Sequence, residues 1–390
     1  MNQYKALLLL IQASINGQHI IQYDDSIDVT ELTSLMRKND LILLLYPILD
    51  EQPDKRWKIM ADELKKEYNK SLHKSLFQQN DIEIFLREME SRKEPCLPLK
   101  GWIMREYYPD VFLRGMIDFD VLVKNFEREK YRDIMESLGY RLYEIDEGQH
   151  DVYYKEPYTV IELHMSLSSL KLENQKPNID FWLRNIWDKC FLQNGTTGIY
   201  CLTKEDFYIY HIIHMYKHIT MGFCGIKPLI DIYLFLKKQE DTLDWKDVNG
   251  TLDNLGLLDF EKRMKQLSKV CFSSDYIQLS KDMNKMLKFI CGDNSSISKT
   301  VGLLGRMELK EKNSYLKKKL TMIFNTIFLP LNEMTIRFPI LKKFPFLLPI
   351  CWILRIFKMA FEGKIGVFLR GSSKEAYTQM EEIYRIMGIK

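Results

Sequence analysis

Cysteine is scarce and unpatterned in this chain: seven residues, at 96, 190, 201, 224, 271, 291 and 351, with no C-x-x-C pair. An odd number scattered along 390 residues argues against a disulfide framework and fits reduced thiols in a cytoplasmic protein. Net charge is small as well. Fifty-six Lys and Arg against 53 Asp and Glu leave +3, too little for the whole surface to attract nucleic acid or a membrane. No apolar run is long enough to cross a bilayer: Phe344 to Leu354 is the longest uncharged one near the C-terminus, and it holds two prolines. The run from Ala6 to Ile11 after Lys5 is shorter than the apolar region of a secretory leader, so export is not expected. Internal repeats and low-complexity tracts are also missing. With 46% hydrophobic and 28% charged residues, the chain is neither disordered nor collagen-like, and its length predicts two or three packed units.

Residues 1–90 carry apolar positions at helical spacing, as in Leu32, Leu35 and Met36, then Leu41, Leu44 and Leu45. Within 91–178 the period shortens: Ile117 to Val123, Tyr140 to Ile145, Val152 to Lys155 and Tyr158 to Leu163 read as strands, interrupted by a helix over Glu127 to Leu138 that ends at Gly139. The helical period returns over 179–295, and the Ser-rich stretch Asp293 to Ser298 reads as a linker to a basic, aromatic-rich helical region, 296–390. The predicted class is α+β, a small mixed sheet flanked by helical regions.

Chemistry concentrates on the sheet. In Ile117-Asp-Phe-Asp-Val-Leu-Val123, strand alternation places Asp118 and Asp120 on one face and Ile117, Phe119, Val121 and Val123 on the other. Two adjacent carboxylates raise each other's pKa unless a cation stands between them, and carboxylates with water suit Mg²⁺, or Mn²⁺, carrying a nucleotide's phosphates. Two aspartates merely exposed to solvent would look the same. A second apolar strand, Thr159-Val-Ile-Glu-Leu-His164, presents Glu162 and His164 on one face; if it pairs beside the first, three acids converge, as a two-metal phosphoryl site requires. Glu162 could then ligate a metal or take the acceptor's proton. Upstream, Cys96 to Leu99 runs as a strand into Lys100-Gly101 and a helix. Backbone N–H groups at such a junction can approach phosphate, with Lys100 and Arg114 as phosphate partners or, alternatively, as two solvated cations.

These residues resemble a family. Leu99-Lys-Gly101, Tyr108-Pro-Asp110, Leu113-Arg114, Asp118-Phe-Asp-Val-Leu-Val123, Leu138-Gly-Tyr140, His150 and Glu162-Leu-His164 are similar to the uncharacterised nucleotidyltransferases of the polymerase-beta-like superfamily. A second block comprises Glu205-Asp206, His211, His214, His218 and Asp231. The resemblance implies that Asp118, Asp120 and Glu162 are the catalytic, metal-binding acids, and that the Lys100-Gly101 turn faces an NTP's triphosphate; Arg114 and His164 are further candidates for nucleotide binding. It also implies transfer of a nucleoside monophosphate with release of pyrophosphate, but names no acceptor, which a small molecule, a protein or RNA could each be. One departure stands out: where the wider superfamily places Gly-Ser or Gly-Gly, this chain has Gly101-Trp102, and Asp118 follows seventeen positions after the glycine. The alternative function is a catalytically silent nucleotide- or partner-binding protein that docks through its basic C-terminal region.

Two further features compete for a role. His211, His214 and His218 share one face of a helix, with Lys217 between them and Asp231 on the next helix. They could hold zinc, close over the nucleotide together with Lys227, or make interdomain hydrogen bonds. Residues 301–370 hold thirteen Lys or Arg against four Glu, interleaved with aromatics including Phe338, Phe344, Phe346, Trp352 and Phe357. That pattern fits a membrane surface or a polyanion, or an amphipathic region packed on its own core.

Overall fold

The computed structural model describes residues 3–17, 21–146, 149–168, 176–222, 224–273, 278–292, 324–361 except 325–327, 332–333 and 336–337, and 374–389. The chain divides into two compact units, Met1–His214 with Gly225–Asn284, and Met215–Cys224 with Lys285–Lys390. The expected linker, 293–298, lies outside the described residues, as do Lys317 to Lys319 and Arg337.

In the first unit, helices α1 (Gln3–Asn16), α2 (Val29–Lys38), α3 (Ile42–Asp50) and the long α4 (Lys55–Ser91) precede the sheet. Strands β1 (Cys96–Pro98), β2 (Phe119–Val123), β3 (Arg141–Asp146), β4 (His150–Lys155) and β5 (Thr159–His164) then form one sheet in the order β1-β2-β5-β4-β3. Only the central pair, β2 and β5, is parallel. The α+β expectation holds.

The alternation along β5 explains the sheet's orientation: Thr159, Ile161 and Leu163 are buried while Val160, Glu162 and His164 are partly exposed. The buried face packs Phe119, Val121, Val123, Ile161 and Leu163 against Ile82, Phe85 and Met89 of α4. Tyr131, Ile134 and Met135 of helix α5 (Arg128–Ser137) complete this core. Gly139 closes α5 at φ 84°, a left-handed conformation that glycine adopts without strain, and its N–H donates to the Glu136 carbonyl at 3.0 Å. The sheet therefore has a greasy side pinned by two helices and an opposite side on which its polar residues stand. Ile117 departs from the expected pattern. The strand begins at Phe119, so Ile117 sits before the pleat and is exposed instead of lining the core.

Beyond the sheet, the helix carrying His211 and His214 (α6, Lys204–Met221) and that carrying Asp231 (α7, Lys227–Gln239) follow. In the second unit, Leu329, Met334, Leu341 and Cys351 form a small core joined by Phe338 and Trp352, whose indole N–H donates to the Leu329 carbonyl at 2.9 Å. Phe344, Phe346 and Phe357 are exposed, whereas Arg355 is buried. The basic and aromatic residues are thus divided between core and surface. No helix among the described residues is long and apolar enough to cross a membrane, and all seven cysteines are free thiols.

Candidate active site

The polar face of the sheet gathers the acids through strand register. Asp120 of β2 lies directly opposite Glu162 of β5, and Leu122 opposite His164. In β4, His150 lies opposite His164. Cross-strand partners share a face, so Asp120, Glu162, His164 and His150 emerge on the same side, with Asp118 just before β2. His164 Nε2 donates to Asp120 Oδ1 at 3.0 Å and stands 3.5 Å from Glu162 Oε2. His150 Nε2 stands 3.7 Å from that same oxygen.

Lys100 enters from the edge. The Leu99 N–H donates to the Asp120 carbonyl at 3.0 Å, which ties the end of β1 to β2 and brings Lys100 Nζ to 3.3 Å from Asp120 Oδ2. The same ammonium hydrogen-bonds His214 Nε2 of α6. The helix that starts at Lys100 is only one turn, Lys100–Met104, before a 3₁₀ turn over Arg105–Tyr107. Any helix-dipole contribution at the Lys100-Gly101 junction is therefore that of a single turn. At Gly101 a β-carbon would lie 3.3 Å from both Arg114 Nη1 and Met116 Sδ, so the residue is small because its surroundings close in on it.

The electrostatics divide the two aspartates. Burial, then the neighbouring charges of Asp120 and Glu162, push the Asp118 carboxyl up to about 6. Burial also works against an ionised Asp120, but Lys100 and His164 outweigh it and hold that carboxyl below the usual range. His164 is raised despite its burial, because its hydrogen bonds to Asp120 and Glu162 favour the imidazolium. Lys100 and His164 thus anchor Asp120, whereas at Asp118 burial and the neighbouring acids outweigh the opposing pull of Lys100. This is the charge distribution that a divalent cation beside Asp118 would relieve, and the donor set of Asp118 and Asp120 carboxylates fits Mg²⁺.

Arg114 is placed differently from the expected phosphate partner. Its Nε and Nη2 donate to Asp231 Oδ1 and Oδ2 at 2.9 and 2.7 Å, and Nη1 donates to the Gly101 carbonyl at 3.2 Å. Tyr108 adds a hydroxyl hydrogen bond to Asp231 Oδ1 at 2.9 Å. Both partners of the ion pair are buried, and the guanidinium fork is committed to a carboxylate of the protein. Asp231, read as a possible zinc ligand, is the other half of this clamp, and its carboxyl is lowered, Arg114 outweighing the effect of burial. His211 is buried, donates from Nε2 to the Pro228 carbonyl at 3.1 Å, and is pushed towards its neutral form by burial. His214 faces Lys100. His211, His214 and Asp231 therefore serve three different partners and do not assemble as a zinc site. Lys227 pairs with Asp40 and donates to the Gly115 carbonyl. Lys217 and His218 belong to the second unit.

His150 was missed as a site residue, although it stands among the residues of the family resemblance. The polar segment before it hides the start of β4: a strand read from Val152 leaves His150 in a loop, whereas pairing with β5 extends two residues further back.

Comparison with known proteins gives one match. Residues 25–273 match the family described as uncharacterised nucleotidyltransferase, well over half of the chain. No curated protein and no solved structure matches.

Proposed function

This chain belongs to the uncharacterised nucleotidyltransferase family, and we propose that it moves a nucleoside monophosphate from an NTP to an acceptor hydroxyl or phosphate. The acceptor oxygen attacks the α-phosphorus in line, the bond to the β-phosphate oxygen breaks, pyrophosphate leaves, and the acceptor's proton passes to the carboxylate cluster. Asp118 and Asp120 would hold the Mg²⁺ or Mn²⁺, with Glu162 as the third acid; when bound, the ion supplies charge neutralisation on the triphosphate. Lys100 contributes a positive charge at the phosphates while keeping Asp120 ionised. Gly101 lets the backbone approach them, and His164 orients Asp120 from the opposite side. Arg114 we assign a positioning role: by gripping Asp231 and the Gly101 carbonyl it fixes the turn on which Lys100 stands.

The observation that carries this reading is the parallel pairing of β2 with β5, which sets Glu162 beside Asp120. Within it, 91–178 is the catalytic core, 1–90 its helical support, 179–295 the helical domain bearing His211 and His214, and 296–390 the basic, aromatic-rich region, whose residues 301–370 would contact a membrane surface or a polyanion. The test is Mg²⁺-dependent release of pyrophosphate from each of the four NTPs, with cell extract as the source of acceptor. Release that requires both Mg²⁺ and extract is expected. Nucleotide binding without any release would favour the silent binding protein instead.

A further inference from the structure

We propose that His150, Glu162 and His164 form a second metal position of this site, one that prefers a divalent first-row transition ion to Mg²⁺. Among the described residues these three are the one group of at least three His, Cys, Asp or Glu side chains whose ligand atoms approach one another closely enough to share an ion, all within 4.8 Å. Two imidazole nitrogens and a carboxylate oxygen suit Zn²⁺, Mn²⁺ or Co²⁺, whereas Mg²⁺ favours oxygen donors and water.

The spacing fits. With bonds of about 2.0–2.2 Å, donors around a tetrahedral ion lie roughly 3.4 Å apart. The two His Nε2 atoms stand 3.5 and 3.7 Å from Glu162 Oε2, at the long end of hydrogen bonding and close to ligand spacing. The imidazole rings lie 4.9 Å apart between centroids and are tilted by 47°, held there by the β4 and β5 register. Nδ1 of both His150 and His164 is buried without a hydrogen-bond partner. A bound ion would take the place of the Nε2 proton that His164 shares with Asp120, and Nδ1 of each ring has no competing partner for the proton that remains. His164 Nε2 also touches Asp120, so this position adjoins the Asp118 and Asp120 carboxylates without being made by them.

The inference rests on the reading of this sheet face as the reactive site, and it is tested without assaying transfer. Full-length protein freed of metal by a chelator is titrated with Co²⁺, following visible absorption and calorimetric heat. One Co²⁺ per chain with ligand-field bands is expected, weakened by roughly 100-fold or more in His150→Ala and in Glu162→Gln. His73→Ala, at an exposed histidine of α4 outside this sheet face, is expected to bind Co²⁺ as the wild type does. Circular dichroism verifies that each variant is folded, and His150→Gln serves as a second variant that retains a polar side chain at the strand end. Failure to bind Co²⁺, binding unaffected by both His150 variants, or binding lost equally in His73→Ala would each overturn the assignment. Pyrophosphate release with Mg²⁺ as the added metal and cell extract as the source of acceptor, measured on the same samples, reports separately on the transferase reading. Co²⁺ binding without release contradicts that reading only, and release without Co²⁺ binding contradicts the second position only.

Discussion

Replacing Asp118 by asparagine is expected to make the metal-free protein more stable. Burial and the charges of Asp120 and Glu162 push the Asp118 carboxyl up to about 6 in the folded chain, against about 3.9 in the unfolded one. The folded state therefore binds more protons between those values. Stability declines as pH rises from about 4 to about 6, and above that the fold carries the full cost of an ionised Asp118. That cost is about 1–3 kcal/mol, the upper figure being the whole pKa gap converted to free energy. Asparagine has nearly the same shape and no charge, so Asp118→Asn removes the cost. Thermal unfolding followed by circular dichroism, in chelator, should show the variant's midpoint higher by roughly 2–6 °C at pH 7.5. The gain should vanish near pH 4, where the wild-type carboxyl is also neutral. Mg²⁺ should then raise the wild-type midpoint and leave the variant's unchanged. A variant less stable than wild type at pH 7.5, or a gain that persists at pH 4, would refute the argument that uncompensated charge at Asp118 is held for a metal.

Substitutions at three other residues probe the surroundings. Arg114→Ala leaves Asp231 buried and unpaired and should cost about 3–5 kcal/mol in denaturant unfolding, and Arg114→Lys should recover only part of this because an ammonium cannot match both carboxylate oxygens and the Gly101 carbonyl; wild-type stability in Arg114→Ala would contradict the clamp. Gly101→Ala forces Met116 and Arg114 to yield by a few tenths of an ångström and should cost about 1 kcal/mol, with Gly101→Val worse; equal stability of all three in thermal melts would show that the close approach is not limiting. Lys100→Met removes the cation at Asp120 and should lower pyrophosphate release by about 100-fold, and because Asp120 then keeps only His164 against its burial it should also lower the melting midpoint at neutral pH; a fully active variant would remove Lys100 from the site.

Much of the site was legible because period-2 alternation is a local property. Asp120, Glu162 and His164 could be placed on one face from their own strands, and the apolar residues between them named the opposite face. Strand partnership is not local, and only register decides that Asp120 faces Glu162 and that His150 joins His164. Arg114 illustrates another limit: a lone arginine near an acidic strand reads as a phosphate ligand, yet its carboxylate partner, Asp231, lies more than a hundred residues onward on a helix whose packing no spacing rule reveals. The histidines of α6 share a helical face, as their spacing required, but a common face does not mean a common ligand. One turns to Lys100 and another to the Pro228 carbonyl. In the C-terminal region, composition alone could not separate Trp352, which packs inward, from Phe357, which is exposed.

The central claim, that the acids of β2 and β5 act together on a nucleotide, is tested most directly by incubating the protein with α-phosphate-labelled NTPs, Mg²⁺ and cell extract, and following the label alongside pyrophosphate. Label should become covalently attached to an acceptor in equal amount to the pyrophosphate released, and both should disappear in folded Asp120→Asn and Glu162→Gln proteins. Label transfer at the wild-type rate by Glu162→Gln would contradict the claim.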